Sequence, residues 1–299
     1  MKARRIGRTV LPYILITPAI VLIVYFKIYP ICNTFLDSLT YDGSLSLGNF
    51  STLFGDKYFW DSLLVTVKFN LILTPLQIFL ALLVSLLVNA DVRGIGAFRT
   101  IFYLPATMST AVAAIIWNTM LNPNSGVINS LLGMLQIPPQ PFLTSSSQAI
   151  YCIMLITTWI GVGYWMMFLL AGLKNVDRAV YESARVDGAG WLTITLKITI
   201  PMIRRTLAFV LIADTTINLL MFAPMQIITS GGPQRSTAVL MYEAYKSYFL
   251  YVDKGRGDAI VAVLLLIIAF VCAVQFLLIN DRGEKPGKAG KGGAGCEKV

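Results

Sequence analysis

The sequence predicts an all-α membrane protein with six transmembrane helices. Two features of composition and one of pattern point there. Of the 299 residues, 56% are hydrophobic and only 13% charged, whereas a soluble domain is about a quarter charged. The mean hydropathy is +0.71. The apolar residues gather into stretches of about 20, the length an α-helix needs to cross the hydrocarbon core.

The first stretch runs from Leu11 to Ile31, behind Lys2, Arg4, Arg5 and Arg8. Basic residues before an apolar run resemble a signal peptide. This run is too long for one, and no small-residue cleavage site follows it, so it reads as an uncleaved span. The next stretches are Leu63–Ala90, Thr100–Leu121, Gln148–Leu173, Thr206–Ile228 and Asp258–Ile279. Pro18, Pro75 and Pro105 lie inside spans, where they predict kinks that neighbouring helices can accommodate.

Loop charge sets the orientation. Arg93, Arg99, Lys174, Arg178, Arg185, Lys197, Arg204, Arg205, Arg282, Lys285, Lys288 and Lys291 fall on the same side as the N-terminal cluster. The loop from Asn122 to Ser147 has no charge, and that from Cys32 to Ser62 sets Lys57 against Asp37, Asp42, Asp56 and Asp61. The positive-inside rule therefore places both termini in the cytoplasm. The last outer loop departs from it, carrying Arg235, Lys246, Lys254 and Arg256 against Glu243 and Asp253. Residues 1–280 read as one membrane domain, and the Gly- and Lys-rich residues 281–299 as a disordered cytoplasmic tail. The outer segment Gly126 to Ile137 has the pattern of a short helix lying at the interface.

Several function classes fall away. The net charge of +9 sits at span ends and forms no basic-aromatic recognition face, so nucleic acid is not a predicted partner. Without histidine, histidine-activated nucleophiles and histidine metal sites are excluded. Cys32, Cys152, Cys272 and Cys296 have no metal-ligand spacing, so no metal site is predicted. No G-x-x-x-x-G-K-[ST] loop occurs, so the chain is not expected to bind ATP. No paired acids in two repeated halves suggest an ion-driven carrier.

The longest cytoplasmic connection joins the fourth and fifth spans. Asp177 can cap a short helix running through Glu182 and Arg185, which should stop at Asp187-Gly188 because glycine permits a left-handed turn. A second helix would lead to Pro201 and back into the membrane. Read this way, the loop is a helix-turn-helix with a charged tip and an apolar root, either a docking knob or a plain connection.

Its residues resemble the loop of permease subunits of binding-protein-dependent ABC importers. That consensus is E-A-A-x-x-D-G-A, then about ten residues, then I-x-x-P. Here it reads Glu182-Ser183-Ala184-x-x-Asp187-Gly188-Ala189, then Ile198-x-x-Pro201. Ser183 replaces an alanine. Other stretches are similar to the carbohydrate-uptake branch of that family (maltose, multiple-sugar and glycerol-phosphate types). They are Leu104-Pro105, Trp117, Gly126 through Gly133, Thr229 through Pro233, Ser236 through Leu240 and Gly257 through Ile260.

The resemblance implies the type I importer permease fold with a cytoplasmic coupling loop. It implies a second homologous permease, two ATPase subunits that hold ATP and Mg, and an external solute-binding lipoprotein or periplasmic protein, in a bacterial inner membrane. This chain would be a non-catalytic transport subunit with no cofactor, with Glu182 as the polar anchor of the loop and Gly188 as its turn.

Substrate-path candidates come from the spans. Asp214 is a carboxyl at mid-membrane, costing about 2.5–3.5 kcal/mol on insertion scales, so it should face the bundle interior. Asn218 lies one turn on, on the same face. The pair suits either sugar hydroxyls or a polar clasp between helices. Trp159, Tyr164 and Trp165 form an aromatic strip on the fourth span, with Thr157 and Thr158 nearby. Sugar C–H faces stack on such rings, although aromatics also mark membrane interfaces. Asn118, beside Trp117, is a weaker candidate near the outer end of the third span.

Overall fold

The computed structural model describes residues 2–90 and 92–280; the predicted tail lies outside them. The chain is helical almost throughout. It begins with α1 (Lys2–Ile23), which passes through a widened turn at Val24–Ile28 into α2 (Tyr29–Ser38). A two-residue antiparallel ladder, β1 (Thr40–Tyr41) with β2 (Ser44–Leu45), leads to α3 (Gly48–Gly55) and then α4 (Lys57–Val88). The membrane-spanning part continues with α5 (Ile95–Tyr103), α6 (Thr110–Met120), α7 (Val127–Met134) and α8 (Ala149–Lys174). After the loop elements α9 (Arg178–Val186), α10 (Trp191–Ile194) and α11 (Ile200–Met202) come α12 (Arg204–Leu219), α13 (Leu240–Phe249) and α14 (Lys254–Asn280).

Four segments are long and apolar enough to cross a bilayer: Tyr13–Ser38, Lys57–Val88, Ala149–Lys174 and Lys254–Leu278. They correspond to the first, second, fourth and sixth predicted spans. The other two are not single long helices. The third is a broken pair, with α5 and α6 bent by 95°. A 3-10 turn at Leu104–Thr107, with Pro105 in its first turn, makes the break; proline has no N–H to continue the ladder. The fifth predicted span, Thr206–Ile228, holds α12 only as far as Leu219, 16 residues. Pro224 and a widened turn at Met225–Thr229 replace its outer third. The described chain thus has four such helices, or five counting the bent pair.

The core lies where α4, α8, α12 and α14 meet. Ala81 of α4, Trp165 and Leu169 of α8 and Val210 of α12 form one buried cluster. Leu219 joins α12 to Leu240 and Ala244 of α13 and to Ala259, Ile260 and Leu264 of α14. The first helix stands apart. Its outer part, α2, packs on α14, while the side chains from Tyr13 to Cys32 are exposed on this chain.

The basic loop before the last predicted span has a local explanation. Glu243, 2% exposed, takes Arg235 at 2.6 Å and Lys246 at 2.7 Å. Arg256 pairs with Asp56 at 2.6 Å, and Lys254 with Asp37 at 2.5 Å. Each of these four cations is paired within one cluster, so the loop presents less bare positive charge than its composition suggests. Beside it the Tyr248 hydroxyl donates to Asp258. Burial, and then that bond, hold the Tyr248 hydroxyl above its ordinary range.

Candidate functional site: the elbow and the buried polar network

The elbow follows from local chemistry. Asp177 is extended (φ −62°, ψ 133°) and its carboxylate accepts from the Ala179 N–H at 3.0 Å, satisfying one of the free donors at the start of α9. At the other end Ala189 N–H donates to Ala184 C=O at 2.9 Å, and Gly188 N–H to Arg185 C=O at 3.0 Å. Gly188 sits at φ +76°, with open space where a Cβ would be. These two bonds around a left-handed residue make a Schellman stop, so glycine is needed there for conformation rather than for room.

The root of the elbow is fixed to the membrane body. Leu173, Val176 and Ile203 are buried together, with Leu82, Leu86, Tyr181 and Leu207 against them. Of the residues singled out in sequence, Ala184 is buried, while Ala189 and Ile198 are half-buried. Glu182, Ser183, Asp187, Gly188 and Pro201 are exposed. Val186 is 87% exposed, and Trp191 and Leu192 also face outward. The sequence reading missed this apolar tip. Between the elbow and the ends of α4 and α8 lies a cavity of about 530 Å³ whose lining includes Asn89, Tyr181, Arg185 and Trp191.

The second constellation is a polar network inside the bundle. Asp214 is 1% exposed, and its Oδ1 accepts from the Trp165 indole N–H at 2.6 Å. Asn218 Nδ2 donates to Thr74 Oγ1 at 3.0 Å and to Gln77 Oε1 at 2.9 Å. Gln77 Nε2 donates on to the Thr157 carbonyl at 2.9 Å. Asn70 Nδ2 donates to the Thr215 carbonyl, and Gln275 Nε2 to Thr215 Oγ1. One web therefore joins α4, α8, α12 and α14. Gly161 makes room for it, because a Cβ there would lie 2.3 Å from Gln77 Nε2.

Asp214 and Asn218 thus sit in the arrangement of a clasp. Thr74, Gln77, Asn70 and Gln275 were not singled out in sequence; the available signal was each one's polar side chain within an apolar span.

The aromatic strip does not stay together. Trp165 turns inward to Asp214, and Tyr164 packs edge-on against Trp165 and beside Phe168. Trp159 instead meets Trp117 edge-on, with ring centroids 5.6 Å apart. Both line an apolar cavity of about 750 Å³ between α4, α5 and α8. Asn118 is exposed and not among that cavity's lining residues. Among the described residues no group of three or more His, Cys, Asp or Glu could hold a metal ion.

A helical membrane protein with a charged elbow between two of its spans is the class these features define. The chain belongs to the family described as binding-protein-dependent transport system inner membrane component, whose model matches residues 74–282. It is 30% identical over 280 residues to the sn-glycerol-3-phosphate transport system permease protein UgpA of Shigella flexneri, covering 91% of this chain and 95% of that one. A probable ABC transporter permease protein of Pyrococcus horikoshii is 31% identical over 288 residues, covering 92% and 98%. In fold it is similar to a chain of a bacterial ABC transporter involved in the import of the acidic polysaccharide alginate. That match has a TM-score of 0.81 at 23% identity and covers 95% of this chain and 100% of that one. A second alginate transporter structure, in complex with alginate pentasaccharide-bound periplasmic protein, matches with the same TM-score at 24% identity, covering 96% and 98%.

Proposed function

We propose that this chain is a channel-forming subunit of an ATP-driven importer that moves a sugar or oligosaccharide delivered by an external solute-binding protein. It pairs with a second permease subunit, and two ATPase subunits on the cytoplasmic side bind and hydrolyse ATP. Both termini are cytoplasmic, and residues 1–280 act as one membrane domain. The relatives' names and the two alginate transporters support a glycan or polyol-phosphate class of solute.

The observation that carries the coupling role is the elbow's construction. A short helix closed at both ends by its own residues, rigidly rooted on α4, α8 and the start of α12, exposes Glu182, Ser183 and Val186 at its tip. A plain connection needs no such rigidity. A lever that transmits ATPase closure does, because slack at the tip would absorb the stroke. Asp214 and Asn218 then act inside the lever arm, holding α12 to α8 and α4.

Glu182→Lys tests the reading. The variant should reach the membrane at normal levels, lose the co-purifying ATPase subunits and lose uptake. Normal uptake by that variant overturns the docking role.

A further inference from the structure

Among features that the transport reading leaves unused, the charge-free outer loop stands out for its polarity. It is built inside out. Asn129 Nδ2 donates to the carbonyls of Pro123 and Gln140, and Asn129 Oδ1 accepts from the Gln140 N–H, each at 2.9 Å. Gln148 Oε1 accepts from the Phe142 N–H at 2.9 Å, and Gln148 Nε2 donates to Gln140 Oε1 at 3.1 Å. The side chains of Asn129, Gln140 and Gln148 are thus spent on cross-links, while Gln136 is exposed just after α7. Gly126 closes it tightly, since a Cβ there would meet the Asn122 carbonyl at 2.4 Å.

The apolar residues point the other way. On α7, Val127, Leu131 and Met134, followed by Leu135, form a row at helical spacing that is exposed, Met134 by 80%. The opposite side seats Ile128 in the buried cluster of Leu121, Leu143 and Ile156, with Trp117. Not one of the residues from Asn122 to Ser147 is charged. Exposed Asn124, Ser125 and Ser146 leave part of the loop able to face water.

Amides cross-linked inside the loop, an apolar row outward, polar residues left only at the water-facing ends and no charge suit an element half immersed in hydrocarbon. A water-exposed or electrostatically recognised surface would show the opposite pattern. Ile115 and Ile116 of α6 are also exposed apolar residues.

We propose that α7 lies in the interface of the outer leaflet with Val127, Leu131, Met134 and Leu135 in the acyl boundary. It is a shallow lipid anchor that fixes the depth of the outer ends of α6 and α8. The proposal rests on the orientation given above.

The test uses the full complex in lipid nanodiscs and proteoliposomes. The natural cysteines are replaced, and an environment-sensitive fluorophore is attached at Met134→Cys, at Ser146→Cys and, as a control at an exposed apolar position of α14, at Leu266→Cys. A lipid carrying a nitroxide near its headgroup should quench the Met134 label at least about twofold more than it quenches the Ser146 label. Aqueous iodide should do the reverse. Equal iodide quenching at Met134 and Ser146 overturns the proposal. So does a Met134 label that escapes lipid quenching and shifts only when solute-binding protein is added, which would make the row a protein contact. An impermeant thiol reagent that reaches Ser146→Cys only from the cytoplasmic side overturns the orientation itself, and so separates that failure from the failure of lipid insertion.

Discussion

Asp214→Ala separates the two roles open to this carboxyl. In the structure its Oδ1 is the acceptor for the Trp165 indole N–H, 2.6 Å away, and both residues are at most 3% exposed. Alanine leaves that N–H buried without a partner, a cost of about 1–3 kcal/mol in a water-soluble core. Helix pairs inside a membrane contribute less, about 0.6 and up to about 1.7 kcal/mol, because the unfolded reference also finds partners. A loss of roughly 1–2 kcal/mol is therefore expected, visible as a lower midpoint in thermal aggregation of the purified complex. Asp214→Asn keeps an acceptor oxygen in place and should recover most of it. Trp165→Phe should make the Asp214→Ala change less costly, since the two changes share one bond. Substrate-stimulated ATPase activity of the surviving Asp214→Ala complex should keep its solute preference. A variant as stable as the parent but with altered solute preference would refute the clasp and place Asp214 on the transport path.

Three further outcomes follow from the same geometry. Gly188→Ala forces a side chain into φ +76° at about 1–2 kcal/mol, so the ATPase subunits should wash off more readily during purification, while Gly188→Asn should be milder. Gly161→Ala drives a methyl into Gln77 Nε2 and should lower thermal stability, and adding Gln77→Ala should restore part of it by removing the obstacle. Glu243→Gln takes away the shared acid of Arg235 and Lys246. It should destabilise the outer cluster by about 1–3 kcal/mol, measured as increased proteolysis of the 230–257 segment in right-side-out vesicles.

Much of the helix layout was legible from apolar length. Four spans lie close to the stretches read from sequence, with ends shifted by up to seven residues, as for Ile31 against Ser38 in the first. The elbow's limits at Asp177 and Gly188 came from cap chemistry that acts within a few residues, which a sequence displays directly. The break in the third span was only half visible. Pro105 announced a kink, but a 95° turn depends on how α5 lies across α8, a tertiary fact. The short α12 was concealed because residues 220–229 are as apolar as a span while Pro224 diverts them. The separation of the aromatic residues was not legible, because Trp159 and Trp165, six residues apart, lie on different sides of α8, and one indole is drawn inward by a carboxyl on another helix. The partners of Asp214 and Asn218 lie over 40 to over 140 positions away, beyond any local pattern.

Coupling requires the elbow to meet an ATPase from the cytoplasmic side, and site-directed cross-linking of Val186→Cys tests that most directly. A short thiol cross-linker applied to inside-out vesicles of the complete transporter should join this position to the ATPase subunit, with the yield changing when ATP is bound. No adduct with the ATPase, or labelling of Val186→Cys by an impermeant reagent only from outside intact cells, would contradict it.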